Sequence, residues 1–232
     1  MNVYYLHAPD RVTPLKDTLE GVNELYKAGK FKRFGLSNFQ PSEVLEVIKI
    51  AKENGFVLPS VYEGLYNMFN RRSEKDIFPI LRENNISFYA YSPIAGGFLT
   101  KTPEDVTNGK GRFGKAAGFF SQLYNGLYNK PIYLDFLASF GKVAADTGLS
   151  QAELAHRWLA YHSLLDPEKG DAIIFGSRAG AQMDSTIEWF KKGPLSAEVV
   201  QQLEELWKTV EGEMFLDNFN GWLADNKPPP HD

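Results

Sequence analysis

Cysteine is absent from the 232-residue chain. That gap removes disulfide bonds, thiolate nucleophiles and cysteine metal sites together, and it fits a reducing compartment. Histidine occurs only four times, in no pair spaced so that a fold would bring both rings to one ion, and no metal site is expected. No apolar run approaches the ~20 residues that cross a bilayer. The first residues lack the basic and apolar regions of a secretory signal. A formal charge of -4 supplies no basic field for nucleic acid or an anionic membrane. The expectation is a cytoplasmic protein with neither of those partners.

Hydrophobic residues make up 43% and charged residues 23%, which is enough apolar content for a full core at this length. α/β barrels of this size often run as one domain. Short apolar runs alternate with segments of helical period, the signature of βα units on a parallel sheet. Strands are expected at Val3–Leu6, Arg33–Leu36, about Ser60–Glu63, Ile86–Tyr91 and Ala172–Phe175. The first helix carries Leu15, Leu19, Val22 and Leu25 on one face and is stopped by Gly29. The second carries Val44, Leu45, Val47, Ile48 and Ala51, with Pro41 in its first turn and Gly55 at its end. Ser73 with Asp76 reads as a capping box, as does Ser150 with Glu153. An irregular stretch near Gly109–Phe120 precedes two helices, the second starting at Ser150. From about Asn220 the chain reads as a loose, proline-rich tail.

Five stretches carry a more specific signal. They are Tyr5-Leu6-His7-Ala8-Pro9-Asp10, Gly35-Leu36-Ser37-Asn38-Phe39, Val61-Tyr62-Glu63-Gly64-Leu65-Tyr66-Asn67, Phe88-Tyr89-Ala90-Tyr91-Ser92-Pro93 and Ala95-Gly96-Gly97. In this order the chain, from His7 to about Val210, resembles the aldo-keto reductases, most of all their aflatoxin-aldehyde reductase branch. The resemblance implies a (β/α) barrel whose motifs end the strands at the active-site face. A closed barrel has eight strands and only five are read here, so the expectation is an incomplete TIM-type barrel domain over residues 1–219, with a flexible tail over 220–232.

By that resemblance His7 would orient the carbonyl to be reduced, Ser37 and Asn38 would bond the nicotinamide carboxamide, and Tyr91 would stack on the nicotinamide of NADPH. The loop from Ser92 through Gly96 and Gly97 would fold over the pyrophosphate, its glycines letting backbone N–H groups approach. Arg178, in the segment from Gly176, would pair with the adenosine 2′-phosphate. Read as residues alone, Arg112 and Arg178 are each either a surface charge or a phosphate contact. The sequence also departs from the family pattern. The family's tyrosine acid, its lysine and its aspartate precede the strand matched by Val3–Leu6, so no residue here stands at those positions. Glu63 replaces a glutamine at the carboxamide and Thr186 an asparagine at the adenine.

Three functions follow from these residues. The first is NADPH-dependent reduction of a small aldehyde or ketone, with Tyr66 at the substrate or supplying the missing acid. The second is a redox-silent dehydratase, isomerase or cyclase in which His7 and Glu63 share proton transfer. An imidazole titrates near neutrality, and an apolar pocket raises a carboxyl's pKa. The third is a non-catalytic subunit that pairs through the open sheet edges at Val3–Leu6 and Ala172–Phe175. Exposed edges template pairing, so a homodimer is expected.

Overall fold

Each stretch with the strand pattern forms a strand, and the strands line up in chain order. The computed structural model describes residues 1–223, 225 and 226. The strands are β1 (Val3–Leu6), β2 (Arg33–Ser37), β3 (Pro59–Leu65), β4 (Ser87–Tyr91) and β5 (Ala172–Ile173). They make one parallel sheet in the order β1-β2-β3-β4-β5, the arrangement expected of an incomplete TIM-type barrel. β1 and β5 stand at its two edges. The helices are α1 (Leu15–Lys27), α2 (Pro41–Asn54), α3 (Arg72–Asp76), α4 (Phe78–Glu83), α5 (Pro103–Thr107), α6 (Phe119–Tyr128), α7 (Pro131–Thr147), α8 (Gln151–Tyr161), α9 (Gly180–Lys191) and α10 (Ala197–Lys208).

The chain forms two compact units. The first comprises Met1–Gly64, Ser73–Tyr89 and Asp166–Ala172. In it β2 is buried from Phe34 to Ser37, and Phe34 and Leu36 share one face, with Val44, Val47 and Ala51 of α2 among the same core residues. Phe88 of β4 stacks on Phe78 of α4 at 4.5 Å and on Tyr62 of β3 at 5.9 Å. Pro41 opens α2 and Gly55 closes it in the left-handed region, as their positions predict. A polar lock completes this unit. The Asp171 carboxylate has no exposed side-chain surface. It accepts both terminal nitrogens of Arg82, the Phe88 N–H at 2.7 Å and the Asp166 N–H at 2.8 Å.

The second unit holds Leu65–Arg72, Ala90–Leu165 and the chain from Ile173 onward. Phe69 is wholly buried at its centre, 5.2 Å from Phe98, 4.9 Å from Tyr133 and 5.0 Å from Phe136. Glu153 of α8 is buried and takes Arg157 at 2.9 Å and Lys192 at 3.0 Å. Its backbone N–H donates to Ser150 Oγ, but its carboxylate is committed to these cations. The Ser150–Glu153 box is therefore formed by its serine half.

Four local expectations change. Ser73 lies inside α3 as its second residue, and Asn70 Oδ1 accepts the Arg72 N–H at the helix entry. The stretch after Gly109 passes through 3₁₀ turns at Gly111–Phe113 and Lys115–Ala117 and becomes α-helical at Phe119, so three α-helices follow it rather than two. Leu123, Tyr124, Leu127 and Tyr128 form the buried stripe of the extra one, and Pro131 forces the break before α7. β5 ends at Ile173, although the Ile174 N–H still donates to Ala90 O at 2.8 Å. A π-helical turn occupies Phe219–Leu223, with Trp222 packed 5.7 Å from Phe119; the triproline run falls outside the described residues.

Asp171→Asn leaves Arg82 without its counter-charge and is expected to cost about 3 kcal/mol, read as a lower midpoint in urea. A second expectation concerns pH. His156 sits among Phe175, Trp189 and Phe190, with Nδ1 2.7 Å from Ala152 O. His162 Nε2 accepts the Leu195 N–H at 2.9 Å. Burial pushes both imidazoles below the ordinary value of 6.5. Below that value the unfolded chain binds more protons than the folded one, so their contribution is full above it and lost as pH falls through the folded values. The Tm is expected to drop between pH 7.5 and 5.5, and to drop less in His162→Gln.

Candidate active site

Strand register sets the first part of the site. Tyr5 pairs with Gly35 and Gly35 with Val61; two residues further on, Ser37 pairs with Glu63. Paired residues in neighbouring strands point to one face, and His7 follows directly on the last paired residue of β1, Leu6. His7, Ser37 and Glu63 therefore form a row across the carboxyl ends of three adjacent strands of the first unit. One step down the same face, Tyr5 lies across β2: a Cβ on Gly35 would come within 2.5 Å of its ring. Only glycine leaves room for that crossing.

Asn38 ties the row together. It is buried, in the left-handed conformation at φ 60. Its Nδ2 donates to His7 O at 2.8 Å and to Ser37 Oγ at 3.1 Å. The amide thus fixes the backbone at His7, whose side chain is exposed. Tyr62, on the buried face, donates its hydroxyl to Phe39 O at 2.8 Å and pins the far side of the same turn. A non-glycine residue at positive φ stores strain, held here by these bonds.

The electrostatics of the row are uneven. Burial raises the Glu63 carboxyl above its ordinary 4.5, and the neighbouring His7 pulls it partly back. Burial, then Glu63 and Tyr89, push the Tyr5 phenol up to about 12. Arg33, which opposes that shift, donates to the Tyr89 hydroxyl at 3.0 Å. A carboxyl raised by burial holds its proton to higher pH than a solvated one, which makes Glu63 the candidate acid of the row.

The remaining candidates belong to the second unit. Tyr91 ends β4 half-buried, and Ser92 turns the chain at φ 57 while its carbonyl accepts Asn67 Nδ2 at 2.9 Å. Gly96 and Gly97 take φ of 65 and 102. Nothing lies within 4 Å of a Cβ built on Gly97, whereas one on Gly96 would stand 2.0 Å from the Tyr124 ring. The Tyr124 hydroxyl accepts Arg112 Nη1 at 2.6 Å. Gly96 and Arg112 are thereby joined through Tyr124, a residue no sequence signal singled out beyond its four-residue spacing from Tyr128. Among the described residues no carboxylate pairs with Arg112. An open glycine backbone beside an uncompensated guanidinium suits an anionic, phosphate-bearing group.

Three further candidates are held by contacts of their own. Arg178 is exposed ahead of α9, its N–H donating to Gln182 Oε1 at 3.0 Å. Thr186 is buried in that helix, its hydroxyl donating to Gln182 O at 3.0 Å. Tyr66 is fully buried, edge-on to Trp158 at 6.1 Å, and its hydroxyl accepts the Leu164 N–H at 3.0 Å. As placed, that side chain meets protein rather than a ligand. Among the described residues no three His, Asp or Glu side chains gather as a metal site, and no helix is long and apolar enough to cross a membrane.

Parallel strands alternating with helices, with polar residues lined up where the strands end, define an α/β barrel-type enzyme. Residues 1–208 match the model of the aldo/keto reductase family, and the chain belongs to that family of oxidoreductases. An aldo-keto reductase of Pseudocercospora fijiensis is 39% identical over 218 residues, covering 91% of this chain and 72% of its own length. The oxidoreductase sirO of Leptosphaeria maculans is 37% identical, covering 91% of this chain and 64% of its own. Aflatoxin B1 aldehyde reductase member 2 of Homo sapiens is 36% identical, covering 92% and 61%. The chain thus spans between 61% and 72% of the length of these three relatives.

Removing the His7 ring removes the neighbour that pulls the Glu63 pKa down. His7→Ala is expected to raise that pKa further, as followed by carboxyl carbon chemical shift against pH; an unchanged or lower value would contradict the pairing.

Proposed function

We propose that this chain works in NADPH-dependent reduction of a small aldehyde or ketone. The observation that carries the reading is the row of His7, Ser37 and Glu63 at the ends of three adjacent parallel strands, in a chain whose relatives include a reductase named for an aldehyde. When bound, NADPH supplies the hydride. His7 donates to the carbonyl oxygen and orients it, held by the Asn38 amide on its backbone. Ser37 and Asn38 bond the carboxamide end of the cofactor, and Tyr91 offers a ring face to it. Ser92, Gly96, Gly97 and Arg112 take the pyrophosphate, and Arg178 the 2′-phosphate. Glu63, whose carboxyl burial raises above its ordinary value, is assigned to protonate the product oxygen. Residues 1–219 act as one domain in this reading, in a cytoplasmic protein that pairs as a homodimer through its sheet edges.

A second reading has its own support. In it Glu63, raised by burial and influenced by the neighbouring His7, shares proton transfer with that imidazole without any cofactor, as a dehydratase, isomerase or cyclase requires. NADPH titration followed by fluorescence and calorimetry separates the two. Micromolar binding and a fall of about a hundredfold or more in kcat/KM for an aldehyde in His7→Ala support reduction. No binding up to millimolar NADPH sinks the reductase reading. In either chemistry Glu63 acts as an acid, so activity is expected to fall as pH rises through its elevated pKa, and Glu63→Gln should lose that limb of the profile.

A further inference from the structure

Of the half-buried arginines, Arg82 is paired with Asp171, Arg157 with Glu153 and Arg71 with Glu204, while Arg33 donates to the Tyr89 hydroxyl. Arg112, which is exposed, is likewise held by a phenol and not by a carboxylate. Its Nη1 donates to a phenol, the Tyr124 hydroxyl at 2.6 Å, and its guanidinium carbon lies 5.2 Å from the centre of that ring. A phenol fixes a guanidinium in place without cancelling its charge, and four of its five N–H groups stay available. Tyr124 is itself immobilised. It is buried, stacked on Tyr128 at 5.9 Å and edge-on to Phe113 at 6.1 Å. Its hydroxyl end presses on Gly96, where a Cβ would come within 2.6 Å of the oxygen. The contact requires glycine at that position.

We infer that Tyr124 is a positioning residue: it wedges against the Gly96 turn and holds the Arg112 guanidinium, with its charge unspent, toward a phosphate-bearing ligand of that turn. This rests on the cofactor reading above and deepens it, because it assigns phosphate affinity to a tyrosine that touches no phosphate. Lys101 supports the same polarity. Its Nζ lies 3.9 Å from a Cβ built on Gly111, next to Arg112, and it has no ion pair among the described residues. The loop is therefore flanked by cations while its own backbone stays open at Gly97.

The test is a double-mutant cycle on the whole chain, read as the Kd for NADPH, with inorganic pyrophosphate as a competing probe and Tm recorded for each variant. Tyr124→Phe deletes one oxygen, leaves the ring stack and is expected to raise the Kd about tenfold, with pyrophosphate competition weakened in parallel. Arg112→Met should do at least as much, and the double variant no more than Arg112→Met alone. Additive losses, or an unchanged Kd in Tyr124→Phe, would overturn the inference while leaving the cofactor reading standing. Wild-type chain that binds neither NADPH nor pyrophosphate would sink both. If Tyr124→Phe does not fold, Arg112→Lys decides: it keeps the charge but loses the fork that reaches phenol and phosphate together. A loss close to that of Arg112→Met supports the inference, and wild-type affinity in Arg112→Lys overturns it.

Discussion

The register of β1, β2 and β3 is the constraint from which the first unit is built. Backbone pairing sets Tyr5 opposite Gly35 and Ser37 opposite Glu63. With a side-chain period of two, a slip of one residue would exchange the faces of an entire strand. Leu36 and Tyr62 would leave the core, where they are 1% and 2% exposed, and the polar row would be driven under the helices. The apolar face thus enforces the position of the chemical face. Tyr62 adds a direct link between the two, since its buried hydroxyl holds Phe39 O in the turn that Asn38 ties to His7.

The polar groups sort by what satisfies them. Asp171 and Glu153 are enclosed and saturated by cations and backbone N–H groups. Such carboxylates hold elements together, because breaking the pair strands a buried charge. Glu63 and Arg112 are held differently. Glu63 has burial without a cation in contact, which moves its titration upward. Arg112 has an anchor without an anion. Among the described residues neither is paired with an opposite charge, in contrast to Asp171 and Glu153.

Sequence reading located the strand-end motifs because they depend on local pattern. Apolar runs of β length, prolines at helix starts and glycines at helix ends each act over a few residues, and Pro41 and Gly55 stand where those rules put them. It failed where a helix was short and its neighbours were aromatic. The α6 stripe of Leu123, Tyr124, Leu127 and Tyr128 reads equally as packing or as part of a loop until Pro131 is recognised as a break. Ser73 illustrates the converse: the right residue type for a cap, it lies as the second residue of α3, and Asn70 Oδ1 accepts the Arg72 N–H at the helix entry.

What the sequence by itself determined is the class: a parallel α/β sheet with five strands, and a set of residues His7, Ser37, Asn38, Glu63, Tyr91 and the Gly96–Gly97 turn in family order. Alternation and turn chemistry are local and survive in a one-dimensional string. Only the tertiary structure decided what each residue touches. It seated Tyr66 inside the core, raised the Glu63 pKa through burial, and brought Arg112 and Gly96 together through Tyr124. Those outcomes depend on desolvation and on contacts between segments many residues apart, neither of which is written in the spacing of a motif.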